Sequence, residues 1–147
     1  MIGKAVMFDS GGLSLKPGKA MEDMKIDMSG GAAVAATALT IAKLGIDKNV
    51  IAAIPMVENM PSAKATKPGD IVECYNGKFV EILNTDAEGR LILADTLSYI
   101  IEQYKPSEVI DMATLTGACV VALGENIAAI FESEDGLSDK IVNSSEK

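Results

Sequence analysis

Short apolar runs alternate along this chain with segments of helical periodicity, and that alternation constrains the fold more than any other feature. Residues 2–8 form an apolar run broken by Lys4, followed at once by the turn-forming Asp9-Ser10-Gly11-Gly12. Ser29-Gly30-Gly31 opens a helix of small residues over 32–44, which Gly45 stops. A strand is expected over 49–57, then a loop rich in Pro, Ser, Lys and Gly over 58–70. Residues 71–75 and 79–83 flank Asn76-Gly77, a strong hairpin signal. Leu91, Ala94, Leu97, Ile101 and Tyr104 recur at helical spacing, which predicts a helix after Gly89 that ends before Pro106. Further strands are expected over 108–112 and 126–131, with a short helix over 118–123 between them. The tail from Glu134 is polar and at best helical. Strands interleaved with helices predict an α/β sandwich, and the hairpin makes the sheet mixed rather than purely parallel. The 147 residues suit one domain with a real core. Aromatic residues are only 4% of the chain, so that core must be built from Ala, Val, Ile, Leu and Met.

The formal net charge of -8 argues against nucleic acid, whose phosphates call for clustered Lys and Arg. No apolar stretch of membrane-spanning length is uninterrupted by charge, Gly or Pro, and none at the start has the length of a signal sequence. Cys74 and Cys119 sit in apolar runs without a C-x-x-C spacing, so both are expected to be buried free thiols. Asn143-Ser144-Ser145 matches a glycosylation acceptor by chance. The segment from Gly12 to Lys19 has the wrong glycine spacing for a phosphate loop, and Ala20 stands where Ser or Thr is required.

The chain has no histidine, which removes His-based triads and every zinc site built on imidazole. Any metal must be held by carboxylates, carbonyls, water or a lysine. Asp9 follows the first strand directly, Asp27 precedes the small-residue helix, and Asp86 and Glu88 lie between the hairpin and the second long helix. Ligands in open α/β sheets collect at such strand ends. Asp86 and Glu88 are two apart and would share a side of an extended segment, where they repel unless a cation lies between them. Turn and helix-cap chemistry is the alternative reading of the same residues. Lys4 is open to two readings as well. It is either an edge residue whose stem lies along apolar surface, or a neutral amine that ligates a metal.

Asn84-Thr85-Asp86-Ala87-Glu88-Gly89-Arg90-Leu91 resembles the signature octapeptide of the leucyl aminopeptidases, peptidase family M17. Gly3-Lys4 through Phe8-Asp9-Ser10-Gly11-Gly12 to Lys16-Pro17 resembles that family's first metal-site segment. Asp27-Met28 with the Gly and Ala run that follows resembles its second, and Ala113-Thr114-Leu115-Thr116-Gly117-Ala118 its substrate-cleft segment. The resemblance implies a zinc-exopeptidase-like α/β/α sandwich with a mixed sheet, present here in incomplete form. It implies that residues 1–147 are part of a C-terminal catalytic domain, with the family's N-terminal domain and the end of the catalytic domain absent. Two divalent metal ions, Mn²⁺ or Zn²⁺, would be held by Lys4, Asp9, Asp27, Asp86 and Glu88, with Asp9 and Glu88 bridging. Lys16 would be the electrophilic lysine, and Arg90 would hold a bicarbonate that shuttles protons. Met24, Asn84, Ala87, Thr114, Leu115 and Gly117 would line the cleft for peptides with a free, leucine-like N-terminus. The resemblance also implies a cytoplasmic homo-hexamer at full length. Three departures accompany it. The chain is short, Ala5 stands where glycine is common, and Ser29 stands where a small residue or Cys occurs. A carboxylate-metal phosphohydrolase would explain the acidic cluster but neither Lys4 nor the octapeptide. A catalytically inert fragment or assembly scaffold of the same fold is the remaining alternative.

Overall fold

A computed structural model describes residues 1–133 and 135–146. Backbone contacts divide the chain into two compact units, Met1–Leu115 and Thr116–Lys147.

The first unit is built on parallel strands. β1 (Ile2–Gly3) pairs with β6 (Asp111–Met112), and β2 (Ala5–Asp9) pairs with β3 (Met56–Asn59), both in parallel. Ile2 also bridges Ala53 in parallel. β1 and β2 are one apolar run interrupted at Lys4. There the backbone N–H donates to Met112 O at 2.9 Å, while the Lys4 carbonyl turns to accept from Gly31 N at 2.7 Å. The predicted strand thus exists with a break at the one charged residue within it.

The short helix α1 (Gly18–Met21) and a 3-10 turn (Met24–Ile26) lead into α2 (Ser29–Leu44), whose end is capped by Gly45 at φ 61°. Its small residues serve close packing. A Cβ on Gly30 would lie 2.0 Å from the Met112 carbonyl oxygen, so only glycine lets the helix start against the strands. β4 (Asp70–Glu73) and β5 (Phe79–Ile82) form the expected antiparallel hairpin, but as a ladder of their own rather than as part of the parallel set. A 3-10 turn over Thr85–Ala87 runs straight into α3 (Glu88–Tyr104), which ends at Lys105 in the left-handed conformation before Pro106. Leu93, Leu97 and Ile100, at the spacing of one helix face, pack with Ile2, Ile51, Ala53, Val109 and Ala113. Ile2, Val6 and Val34 are fully buried, each stabilising by about 1.5–3 kcal/mol.

The second unit contains α4 (Gly117–Leu123) and α5 (Leu137–Ser145). The predicted tail is therefore helical, while Glu134 and Lys147 lie outside the described residues.

Three strand expectations need correction, one of them over 108–112, which is regular only at Asp111–Met112. Residues 126–131 are not a strand. Ile127 and Phe131 are 59% and 95% exposed, and the segment has no ladder partner among the described residues, so β-compatible side chains alone do not make a strand there. The strand expected over 49–57 is regular only from Met56, and it runs on to Asn59 inside the expected loop, because its partner β2 offers ladder positions there. No helix among the described residues is long and apolar enough to cross a membrane.

Candidate metal centre

The strand break at Lys4 sends a lysine side chain into the interior of the first unit, and Lys4 is 2% exposed. Its Nζ lies 2.8 Å from Asp27 Oδ1 and 2.9 Å from Glu88 Oε1, and it donates to the Thr114 carbonyl at 3.1 Å. Asp27 precedes α2, and its Oδ1 also accepts from Thr114 Oγ1 at 2.7 Å. Glu88 is the first residue of α3. The edge reading of Lys4 is therefore wrong, because the ammonium is enclosed by acceptors and does not reach solvent.

Asp9, at the end of β2, is 3% exposed. Its Oδ1 accepts from Gly11 N and from Asn59 Nδ2, each at 2.9 Å. Its Oδ2 lies 3.0 Å from Lys16 Nζ, which is 2.6 Å from Asp86 Oδ1. One oxygen from each of Asp9, Asp86 and Glu88 lies within 4.8 Å of the others. Four carboxylates and two lysine side chains thus meet in one place, although they come from the break between β1 and β2, the end of β2 and the loop after it, the segment just before α2, and the turn that opens α3.

The electrostatics follow from that crowding. Burial pushes the Asp9 carboxyl up, but hydrogen bonds from Gly11, Asn59 and Lys16 outweigh it and hold Asp9 below its usual value. Burial pushes the Lys16 ammonium down, and its hydrogen bonds and charge pairing with Asp86 and Asp9 more than reverse this. Glu88 is raised by burial first and by the Asp9 charge, against the lowering effect of Lys4. Asp27 Oδ2 and Glu88 Oε2 are buried without a hydrogen-bond partner. An unpaired buried carboxylate oxygen is costly, and a divalent cation is the partner that several such oxygens share. The carboxylates of Asp9, Asp27, Asp86 and Glu88 therefore form a donor set that could take a hard divalent ion, with Lys4 Nζ among them.

Close approach is needed at one further position. A Cβ on Gly89 would lie 2.7 Å from Lys4 Cε, 2.9 Å from its Nζ and 3.0 Å from Leu115 Cδ1. Gly89→Ala is expected to lower stability by about 1–3 kcal/mol through overpacking, although alanine favours a helix by up to about 1 kcal/mol. A melting midpoint that stays level or rises would mean that Lys4 does not lie over α3.

The other expected site residues fall less uniformly. Thr114 joins the cluster, and Leu115 stands beside Gly89. Met24 is half-buried in the 3-10 turn before Asp27, and Ala87 is half-buried before Glu88. Asn84 is exposed, and its Oδ1 caps the turn by accepting from Asp86 N at 2.9 Å. Arg90 is exposed in the first turn of α3 and makes no ion pair among the described residues. Gly117 belongs to the second unit. Asn59 and Thr85 were not among the expected site residues. Thr85 stands inside the octapeptide, whereas nothing in the sequence singled out Asn59.

The cytosol aminopeptidase family catalytic-domain model matches residues 1–147. A probable cytosol aminopeptidase of Cenarchaeum symbiosum is 53% identical over 147 residues, all of this chain and 30% of that protein. The structure of Caenorhabditis elegans leucine aminopeptidase superposes with a TM-score of 0.96 at 41% identity, over 99% of this chain and 30% of that one. The bottromycin maturation enzyme BotP, in complex with Mn, superposes at 0.89 with 42% identity, over 99% of this chain and 32% of its own. The chain spans about 30% of the length of these relatives. With matching motifs, matching backbone and a family model covering every residue, the chain belongs to the cytosol aminopeptidase family, peptidase family M17.

Proposed function

We propose that this chain carries the two-cation centre of a leucyl-type aminopeptidase, an enzyme that removes N-terminal residues from peptides. The observation that carries the reading is the convergence of Lys4, Asp9, Asp27, Asp86 and Glu88 with two buried carboxylate oxygens left unpaired. The family membership and the Mn complex of BotP support it. In this proposal Lys4, Asp9, Asp27, Asp86 and Glu88 would hold two divalent ions, Mn²⁺ or Zn²⁺, with Asp9 and Glu88 as the carboxylates common to both. Such a pair supplies an activated water and polarises the scissile carbonyl.

The chain's own residues do the rest. Lys16 keeps a positive charge beside Asp9 and Asp86, where negative charge develops on the substrate carbonyl oxygen. Arg90 has the planar fork that suits a bicarbonate proton shuttle, and its exposure leaves that fork free to bind one. Within the first unit, Met24, Asn84, Ala87, Thr114 and Leu115 would line the cleft for a leucine-like side chain. A free α-amine on the substrate would be a further donor to such ions, which would restrict cleavage to the first peptide bond. The complete enzyme on this reading is a cytoplasmic homo-hexamer, and residues 1–147 are part of its catalytic domain.

Hydrolysis of leucine amide by the full-length protein, with Mn²⁺ or with chelator, tests the proposal, and residues 1–147 alone are expected to show little activity. Turnover is expected only with metal and only on the unblocked amide, and Lys16→Met is expected to lower it by about 10²–10³-fold, as loss of an oxyanion partner does. Equal cleavage of N-acetyl leucine amide contradicts the aminopeptidase reading. A full-length protein that binds two Mn²⁺ and hydrolyses nothing supports the inert-scaffold alternative.

A further inference from the structure

Asn59 closes β3 opposite Asp9, and its register with Asp9 follows an irregularity in the β2–β3 ladder. Its side-chain Nδ2 donates to Asp9 Oδ1 and to the Thr85 carbonyl, each at 2.9 Å. Both partners only accept, so the amide can face them in one orientation, and neither a carboxylate nor a hydrocarbon at 59 can do the same. The Asn59 carbonyl is fixed in turn by Ser10 N at 2.9 Å and Ser10 Oγ at 2.6 Å. With Gly11 N on the same Asp9 oxygen, Oδ1 is fully engaged, and Oδ2 is left toward Lys16.

Thr85 completes the other half of this clasp. It is 5% exposed. Its Oγ1 donates to the Gly11 carbonyl at 2.6 Å and accepts from Ser14 N at 2.8 Å, while its own N–H donates to Ser14 Oγ at 3.1 Å. Gly12 lies between the two residues, where a Cβ would come 2.7 Å from Asn59 Oδ1 and 3.0 Å from Thr85 Oγ1. The loop carrying Asp9 and Lys16 is over 70 positions from the loop carrying Asp86 and Glu88. These side-chain hydrogen bonds tie one to the other.

We infer that Asn59 and Thr85 are positioning residues that set the separation between Asp9 and Asp86, and so tune cation affinity at the position those two carboxylates flank. The inference rests on the metal-centre reading above. Hydrogen-bonded partners of metal ligands typically change affinity by about 10–100-fold when removed. Asn59→Asp gives a test of sign, because added negative charge by itself draws a cation in, whereas loss of the two donors loosens Asp9.

The experiment is Mn²⁺ titration of the chain by calorimetry and electron paramagnetic resonance, with circular dichroism on each variant to confirm folding. Asn59→Asp and Thr85→Val are expected to weaken one of the two Mn²⁺ events by about 10–100-fold and to reduce the spin-coupled signal of the pair. Thr85→Ser keeps the hydroxyl and is expected to stay within about threefold of the parent, an outcome that a mere packing role for Thr85 does not give, since the lost methyl would then matter as much as the lost hydroxyl. Wild-type affinities and coupling in both Asn59→Asp and Thr85→Val would overturn the inference while leaving the metal centre intact. Absence of Mn²⁺ uptake by the unaltered chain would instead remove the metal-centre reading, and this inference with it.

Discussion

Lys4→Met is expected to lower the stability of the metal-free chain by about 3–5 kcal/mol, the usual consequence of removing one partner from a buried ion pair. The Lys4, Asp27 and Glu88 side chains are 3%, 6% and 13% exposed, so solvent cannot take over the lost charge. Methionine fills nearly the same space, which keeps the cavity contribution small and isolates the electrostatic one. At about 2–4 °C per kcal/mol for a chain of this size, the midpoint measured in chelator falls by roughly 6–20 °C. Adding Asp27→Asn and Glu88→Gln to Lys4→Met removes the uncompensated charges, and most of the loss is expected to return. That recovery is what separates charge imbalance from simple misfit. A Lys4→Met chain that melts like its parent would mean that the lysine is not seated between these carboxylates.

Much of this arrangement is legible in the sequence because the signals are local. The octapeptide places Asp86 and Glu88 where a 3-10 turn passes into α3, and Glu88 falls on the first helical residue, where a carboxylate also meets the helix dipole favourably. Gly45 and Pro106 mark the ends of α2 and α3 through backbone conformation alone. Asn76-Gly77 marks the hairpin in the same way, with Gly77 at φ 78°. Lys4 stands out as the one charge in an apolar run, although the sequence leaves open whether it points in or out. The ladder settles that question, because the Lys4 carbonyl leaves the sheet to meet Gly31 while its side chain passes beneath Gly89.

What the sequence does not show is whatever depends on distant partners. Asn59 looks like one more polar residue at the edge of a Pro- and Ser-containing loop, and its role arises only because β3 extends two residues farther than apolar patterning suggests. The segment over 126–131 fails in the opposite direction, since its β-compatible side chains have no neighbouring strand to pair with among the described residues. Strand formation is decided by what lies alongside, which a single sequence states poorly, whereas helix caps and tight turns are decided within a few residues.

Divalent cations are expected to stabilise the chain by an amount comparable to the loss in Lys4→Met. Asp9, Asp27, Asp86 and Glu88 bring four negative charges to the centre when ionised, and Lys4 and Lys16 return two positive ones, so −4 + 2 = −2. The balance leaves net repulsion in a poorly solvated place, and hydrogen bonding leaves Asp27 Oδ2 and Glu88 Oε2 without partners. A cation bound only by the folded state adds about 2.7 kcal/mol at a hundredfold excess over its dissociation constant, so two such ions add roughly 5 kcal/mol. The melting midpoint in Mn²⁺ should therefore exceed that in chelator by roughly 10–20 °C. The gain should rise with the logarithm of free Mn²⁺, which a nonspecific ionic-strength effect reproduced by NaCl would not do. Glu88→Gln takes a charge from the carboxylate that the proposed function gives to both ions and should remove most of the gain. An exposed carboxylate such as Glu102 has no place in the cluster, and Glu102→Gln should leave the gain unchanged. Equal midpoints in Mn²⁺ and chelator, from a chain that unfolds cooperatively in both, would show that the carboxylates gather here without a cation and that the two lysines alone balance them.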